Sequence, residues 1–205
     1  MEARISTLSP ARAVVYDAVM WPFERAAIGA WRRRLAARAR GRVLEVGSGT
    51  GAQLPWYAPG TDVTALEPDA GMRGRLVRRA AQAAARVRVV AGVAEALPFP
   101  DDSFDAVVSA FALCTVADPA AALAELRRVL VPGGTLLLLE HVHLPWEPGR
   151  RLQSAAAPAW AAAAGGCRLD RDTLRIAVEA GFGVERLSEH AAGWIVEAGL
   201  RAPAS

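Results

Sequence analysis

The stretch Val43-Leu44-Glu45-Val46-Gly47-Ser48-Gly49-Thr50-Gly51 constrains the fold more than any other part of the chain. A short strand runs straight into three alternating glycines, and the chain beyond them reads as the start of a helix. Glycine is needed where backbone must approach a ligand more closely than a Cβ permits. Such a turn also aims the free N–H groups of the next helix at that ligand. Four more apolar runs follow, Val63–Leu66, Val87–Val90, Phe104–Ser109 and Thr135–Glu140, with helices predicted over 70–84 and 118–130. Strands this continuously apolar are buried on both faces, which means an α/β fold with a mostly parallel sheet between helical layers. Asp118 as N-cap, with Pro119 in the first turn, marks one helix start, and Ala122, Leu126 and Val129 form its inward stripe.

The flanks read differently. Residues 11–40 are helical, with Phe23, Ala27, Trp31 and Leu35 as an apolar stripe opposite Arg32, Arg33, Arg34 and Arg38. Pro22 suits the first turn of a new helix there, and Gly41 suits its C-terminal cap. After the fifth run, 142–168 holds three prolines, two tryptophans and a Gly-Gly pair, the composition of an irregular acceptor-side wall or lid. A helix over 171–180 starting at Asp170 follows, and then strands over 182–188 and 192–198 as an antiparallel pair at the sheet edge. The whole reads as one domain over 1–205: N-terminal helices 1–41, a binding core 42–141, and an acceptor-side segment with edge strands 142–205.

Composition removes several classes. Apolar residues are 53% and charged residues 22% of the 205, so neither a disordered nor a fibrous chain is expected. The isoelectric point near 9.5 suggests an acidic partner, but all 24 basic residues are arginine, and asparagine is absent as well. That pattern reflects GC-rich codon usage, so no nucleic-acid partner is expected. Cys114 and Cys167 have neither metal-ligand spacing nor a disulfide framework, so no metal is expected. With no signal-peptide core and no run of ~18 apolar residues, the expectation is a cytoplasmic protein. The basic amphipathic helix leaves peripheral contact with a membrane open.

Glu67 ends the second strand twenty residues after Gly47, where a carboxylate can accept hydrogen bonds from a ribose diol. Gly47-x-Gly49-x-x-Ala52 also satisfies the dinucleotide fingerprint, so an NAD-dependent oxidoreductase is one reading. Glu45 argues against it: a carboxylate behind the loop repels a pyrophosphate and attracts an ammonium or sulfonium. Further on come Leu97-Pro98-Phe99-Pro100-Asp101-Asp102-Ser103-Phe104-Asp105 and Arg128-Val129-Leu130-Val131-Pro132-Gly133-Gly134-Thr135-Leu136. With these the chain resembles the class I S-adenosylmethionine-dependent methyltransferases, in particular the ubiquinone-methyltransferase-like group that includes bacterial phospholipid N-methyltransferases. A narrower set is Leu113-Cys114-Thr115-Val116, Glu140-His141-Val142, Trp160 and Gly165-Gly166-Cys167-Arg168-Leu169. It is similar to the membrane-associated thiol methyltransferases of animals and their bacterial relatives.

The resemblance implies a Rossmann-like sheet of seven strands with an antiparallel edge hairpin, and S-adenosylmethionine as cofactor, released as S-adenosylhomocysteine. It implies that Gly47, Ser48, Gly49 and Gly51 wrap the methionine part, with Glu45 near its ammonium and Glu67 on the ribose. Pro68 and Met72 would line the adenine, Ala94 and Glu95 its edge, and Ala110 the sulfonium. One departure is Val93, where many relatives have Asp. The acceptor would be a small or lipid-like molecule: a hydrophobic thiol, or else a phospholipid or quinone precursor methylated on N, O or C. His141, after the fifth strand, is the candidate proton acceptor, although a histidine hydrogen-bonded at a strand end reads the same way. Tyr16, beside Asp17, is a candidate for closing the cofactor mouth, and Trp146, Trp160, Trp194 and Cys167 for walling the acceptor. Cys114, among Phe111, Leu113 and Val116, reads as an inert buried thiol, and His143 and His190 read as surface residues. A noncatalytic membrane- or partner-binding module on the same fold is the remaining alternative.

Overall fold

The computed structural model describes residues 10–163 and 166–204. Helix α1 (Pro10–Phe23) passes through a π-helical turn, Glu24–Ile28, into α2 (Gly29–Ala36). The sheet strands are β1 (Arg42–Val46), β2 (Asp62–Leu66), β3 (Arg86–Val90), β4 (Phe104–Ala110), β5 (Leu130–His141), β6 (Gly183–His190) and β7 (Ile195–Arg201). The helices among them are α3 (Ala70–Ala80), α4 (Pro119–Val129), α5 (Glu147–Ala163) and α6 (Thr173–Glu179). The seven-stranded sheet has the order β3-β2-β1-β4-β5-β7-β6. β1 through β5 pair in parallel, while β7 runs antiparallel to both β5 and β6. The expected edge hairpin is therefore present with its later strand on the inside. Strand order reverses between β1 and β4, and a crevice opens beyond the carboxyl ends of strands at such a reversal.

Side-chain alternation builds a core on each face. Leu44, Val46, Val107, Leu136 and Leu138 pack with Leu123, Leu126 and Val129 of α4 on one side. Val43, Val63, Ala65, Val108, Leu137 and Leu139 pack with Leu35 of α2 and Leu76 of α3 on the other. Each such leucine contributes about 1.5–3 kcal/mol by leaving water. Asp118 caps α4 as its sequence predicts, accepting from the N–H groups of Ala120 and Ala121 at 3.0 and 3.1 Å.

Several expectations are corrected. Pro22 lies inside α1 rather than opening a new helix, and the π-turn follows directly. That turn shifts the helical phase, so the four-residue stripe breaks: Leu35 is buried while Phe23 is 57% exposed. Arg32, read as part of the polar side, is buried against Glu24 and Gln53. Gly41 comes five residues after the last residue of α2 (φ +71°) and turns the chain into β1 instead of capping the helix. No regular helix follows the glycine loop; a 3₁₀ turn, Leu54–Trp56, takes its place. The irregular stretch 142–168 contains the 17-residue α5, because Pro148 occupies a first turn, where no N–H partner is lost, and the alanines favour helix. Asp172, not Asp170, caps the next helix, accepting from the Arg175 N–H at 3.2 Å. Gly165 lies outside the described residues.

Candidate functional site

Beyond β1 and β4 a cavity of about 50 Å³ is lined by Glu45, Gly47, Ser48, Gly49 and Ala110, with Tyr16, Arg32 and Phe111 at its sides. A larger open depression of about 700 Å³ lies against α4 and α6, and none of the sequence-predicted site residues lines it. Glu45 is only 3% exposed, and its Oε2 is buried without a hydrogen-bond partner among the described residues. Burial pushes its carboxyl up to about 7, against the opposing pull of Tyr57 and Arg32. The Tyr57 hydroxyl, itself buried, lies against the same carboxyl and steadies its charge, at a geometry too loose to satisfy either group. An unpartnered buried carboxylate oxygen fits the ammonium of S-adenosylmethionine, which would supply the missing donors.

Two of the loop glycines serve different needs. A Cβ on Gly47 would meet the Ala112 Cβ at 2.4 Å, so Gly47 lets β1 pass the loop after β4. A Cβ on Gly49 would meet nothing within 4 Å, so that side of the loop opens onto space a ligand can fill. Ser48 closes the turn, its Oγ donating to the Glu45 carbonyl at 3.2 Å and its carbonyl accepting from the Gly51 N–H at 2.8 Å.

Glu67 clamps the same loop. Its Oε2 accepts from the Gly49 N–H at 2.7 Å and its Oε1 from the Asp69 N–H at 2.9 Å. Each oxygen keeps a second lone pair, so the carboxylate can take ribose hydroxyls without releasing the backbone. Burial raises its pKa, and those two N–H groups resist the rise. Asp69 caps α3 by accepting from the Met72 N–H at 2.8 Å, so Pro68 and Met72 stand on either side of that cap just after Glu67 in the chain. Ala94 is buried. Glu95 accepts from the Ala117 N–H at 2.7 Å, which ties it to the loop before α4.

Helix α1 is tied over the cavity. Asp17 accepts from the Thr50 hydroxyl at 2.6 Å, and from Arg75 and Arg79 at 2.7 Å each. This network holds Tyr16 at the cavity wall. Although the residue is 42% exposed, burial of its hydroxyl raises its pKa.

On the other side stands Phe111, a non-glycine residue with φ +60°, whose ring centroid is 4.9 Å from that of His141. His141 also faces Trp194, at 5.7 Å. Cys167 Sγ lies 3.6 Å from His141 Nδ1 and 3.5 Å from Cys114 Sγ. The thiol of Cys167 is held well below its usual range by Cys114, which keeps the proton, and then by His141 and Trp160. Residues far apart in sequence thus form one cluster, and Cys114, buried as its apolar neighbours suggested, has Cys167 beside it. Trp160 joins the cluster, whereas Trp146 is 53% exposed and packs over Gly149. His190 is no surface bystander: it stacks on Trp31 at 4.6 Å and meets buried Glu197 at 3.2 Å.

Sequence reasoning missed the organising role of Glu140. Fully buried at the end of β5, it accepts from the Ser109 hydroxyl at 2.6 Å and from the N–H groups of Ala112, Leu113 and Cys114 at 3.0, 3.0 and 3.3 Å. The signal was a carboxylate closing the run Leu136-Leu137-Leu138-Leu139, where burial demands compensation.

A family model described as a methyltransferase domain matches residues 44–138. The chain is 44% identical over 124 residues to a demethylmenaquinone methyltransferase of Renibacterium salmoninarum, a match covering 58% of this chain and 51% of that one. It is 37% identical over 143 residues to a thiol S-methyltransferase of Homo sapiens, covering 67% of this chain and 59% of that one. The chain thus spans little more than half the length of these relatives. Its fold matches that of an S-adenosylmethionine-dependent methyltransferase from Thermotoga maritima with a TM-score of 0.71 at 24% identity, covering 93% of this chain and 97% of that one. Among the described residues no helix is long and apolar enough to cross a membrane.

Proposed function

This chain is a member of the class I S-adenosylmethionine-dependent methyltransferases, and from that premise we propose that it methylates the sulfur of a small hydrophobic thiol. The observation that carries the acceptor reading is the cluster of His141, Cys167, Trp160 and Trp194, joined to the cofactor cavity through Phe111. Its support from relatives is that similarity to a thiol S-methyltransferase extends over 67% of the chain, against 58% for the quinone-precursor enzyme.

When bound, S-adenosylmethionine supplies a methyl carbon already activated by sulfonium charge. The chain's task is to position two reactants, an effect worth up to about 7–11 kcal/mol in well-oriented systems. Glu45 receives the ammonium, Glu67 the ribose hydroxyls, and Pro68 and Met72 border the base. Ala110, small and at the end of β4, leaves room beside the reacting carbon. Tyr16 closes one side and Phe111 the other, which excludes water from a reaction in which opposite charges are consumed. A thiol acceptor gives up its proton before attack, and in a cation-free site His141 is the side chain placed to take it. α1 presents Val14, Val15, Val19 and Trp21 exposed beside Tyr16, which suits a hydrophobic acceptor arriving from that side. A dinucleotide would set its pyrophosphate against the unpartnered oxygen of Glu45, which disfavours the nicotinamide reading.

A second reading, C-methylation of a quinone precursor, is favoured by the 44% identity to the demethylmenaquinone enzyme. The test is release of S-adenosylhomocysteine with aryl and alkyl thiols, a phospholipid amine and a demethylated quinol as alternative acceptors. Turnover with thiols above the others is expected. Preference for the quinol or the amine overturns the acceptor, and absence of calorimetric heat with S-adenosylhomocysteine overturns the cofactor assignment itself.

A further inference from the structure

Cys114, Cys167 and His141 are separated by as many as 53 residues, yet their ligand atoms all lie within 4.8 Å of one another. Zinc bound by thiolate at about 2.3 Å and imidazole at about 2.0–2.1 Å in a tetrahedron separates two sulfurs by about 3.8 Å and sulfur from nitrogen by about 3.5 Å. The corresponding distances here are 3.5 Å between the sulfurs and 3.6 Å from Cys167 Sγ to His141 Nδ1. Those two separations match, and the third pair, Cys114 Sγ and the His141 nitrogen, lies within 4.8 Å, so a bound cation would draw it together by side-chain rotation.

The backbone around them is fixed. The Arg168 N–H donates to the Cys114 carbonyl at 2.9 Å, stitching the segment after α5 to the loop after β4. The Arg171 guanidinium donates to the Leu113 carbonyl at 2.9 Å. Glu140 holds the Cys114 N–H, and Phe111 and Trp194 bracket the His141 ring. Cys114 is fully buried and Cys167 is 7% exposed, while His141 is half-buried. Two thiols and one imidazole form a soft, three-ligand set of the kind that leaves a fourth position open.

We infer that Cys114, Cys167 and His141 form a binding site for a thiophilic divalent cation, Zn²⁺ as the cation tested, whose fourth position takes the acceptor sulfur. The part concerning the acceptor rests on the thiol reading above; the cation site does not. On binding, the acceptor's S–H bond breaks, a sulfur–metal bond forms, and the proton passes to solvent. The sulfur lone pair then forms the bond to the methyl carbon, the donor's S–CH₃ bond electrons stay on the donor sulfur, and the sulfur–metal bond breaks as the neutral thioether leaves with S-adenosylhomocysteine as the other product. In this arrangement His141 serves as a ligand through Nδ1 and solvent takes the proton.

The experiment is titration of the reduced 205-residue chain with Co²⁺ as a coloured probe, followed by displacement with Zn²⁺. The expected result is thiolate-to-cobalt charge-transfer absorption and intense tetrahedral ligand-field bands, saturating at an equimolar ratio and erased by Zn²⁺. Cys114→Ser and Cys167→Ser each remove the charge-transfer band, and His141→Ala weakens binding by about tenfold or more; retained S-adenosylhomocysteine binding reports that each variant is folded. A pale octahedral spectrum, or unchanged spectra in folded Cys167→Ser, overturns the site. Oxidation of the pair to a disulfide in preference to metal uptake also overturns it. Addition of an aryl thiol shifts the charge-transfer band if its sulfur enters the fourth position. Cation binding without that shift keeps the site and overturns the thiol as acceptor. Full thiol methylation by chelator-stripped protein keeps the thiol and overturns the site's part in the reaction.

Discussion

At the scale of single residues, Glu45 sets stability against binding. Folding raises its pKa from 4.5 to about 7, mainly by burial. The folded state therefore holds this proton more tightly than the unfolded chain. The stability from this group is full below about pH 4.5 and is lost as pH rises through about 7. The 2.5-unit shift corresponds to about 3 kcal/mol. Glu45→Gln removes that cost, so above pH 7 the ligand-free variant should unfold about 1–3 kcal/mol less readily, seen as a higher denaturant midpoint at unchanged slope. The same variant should bind S-adenosylhomocysteine at least about tenfold more weakly, through loss of a charged hydrogen bond. In the unsubstituted protein that affinity should fall as pH drops below about 7, since a protonated Glu45 must first give up its proton; in Glu45→Gln that step near pH 7 should be absent. Calorimetry across neutral pH reads both. A destabilised variant with wild-type affinity would remove Glu45 from the site.

At the scale of elements, α1 is the part whose position depends on a few polar contacts. Among the described residues, Asp17 joins it to the glycine loop through Thr50 and to α3 through Arg75 and Arg79, with hydrogen bonds of 2.6–2.7 Å. The carboxylate is partly shielded, and charge-assisted bonds of this kind contribute about 1.5–3 kcal/mol each at most. The outer face of the helix adds little, because Val14, Val15, Val19 and Trp21 are exposed. Asp17→Asn, which keeps the shape and drops the charge, should release α1 from the cavity and speed S-adenosylhomocysteine dissociation by about tenfold, with a smaller effect on association. Stopped-flow displacement measures both rates. Equal dissociation rates in the two proteins would mean that the helix is held by packing alone.

At the scale of the whole molecule, the sheet accounts for what was legible in the sequence. β1, β2, β4 and β5 lie inside the parallel part, where burial on both faces demands uninterrupted apolar runs, so their positions showed in the residue pattern. The strand–glycine turn and Glu67 were legible because backbone geometry and ligand chemistry restrict the residue types there. The cysteine–histidine cluster was not, since it joins the loop after β4, the end of β5 and the segment after α5, a meeting made only by tertiary packing. The Glu140 network was hidden for the same reason, and the π-turn beyond Pro22 because a five-residue turn leaves no periodic mark. The edges carry a prediction. β3 is half-exposed and β6 is exposed along nearly its whole length, whereas β1, β4 and β7 are mostly buried. Amide hydrogen exchange should therefore be fastest in β6 and β3 and slowest in β1 and β4, resolved by peptide mass spectrometry. Uniform protection across the sheet would contradict it. The order β5-β7-β6 also has a temporal meaning for a chain made from its N-terminus. β6 leaves the ribosome with no neighbour to zip onto, and the flank of β5 stays bare until residues 195–201 emerge and slide between them. Assembly of that side of the protein is thus a late, post-emergence event, and until it happens the nascent molecule carries two open seams, the state in which it most needs a chaperone.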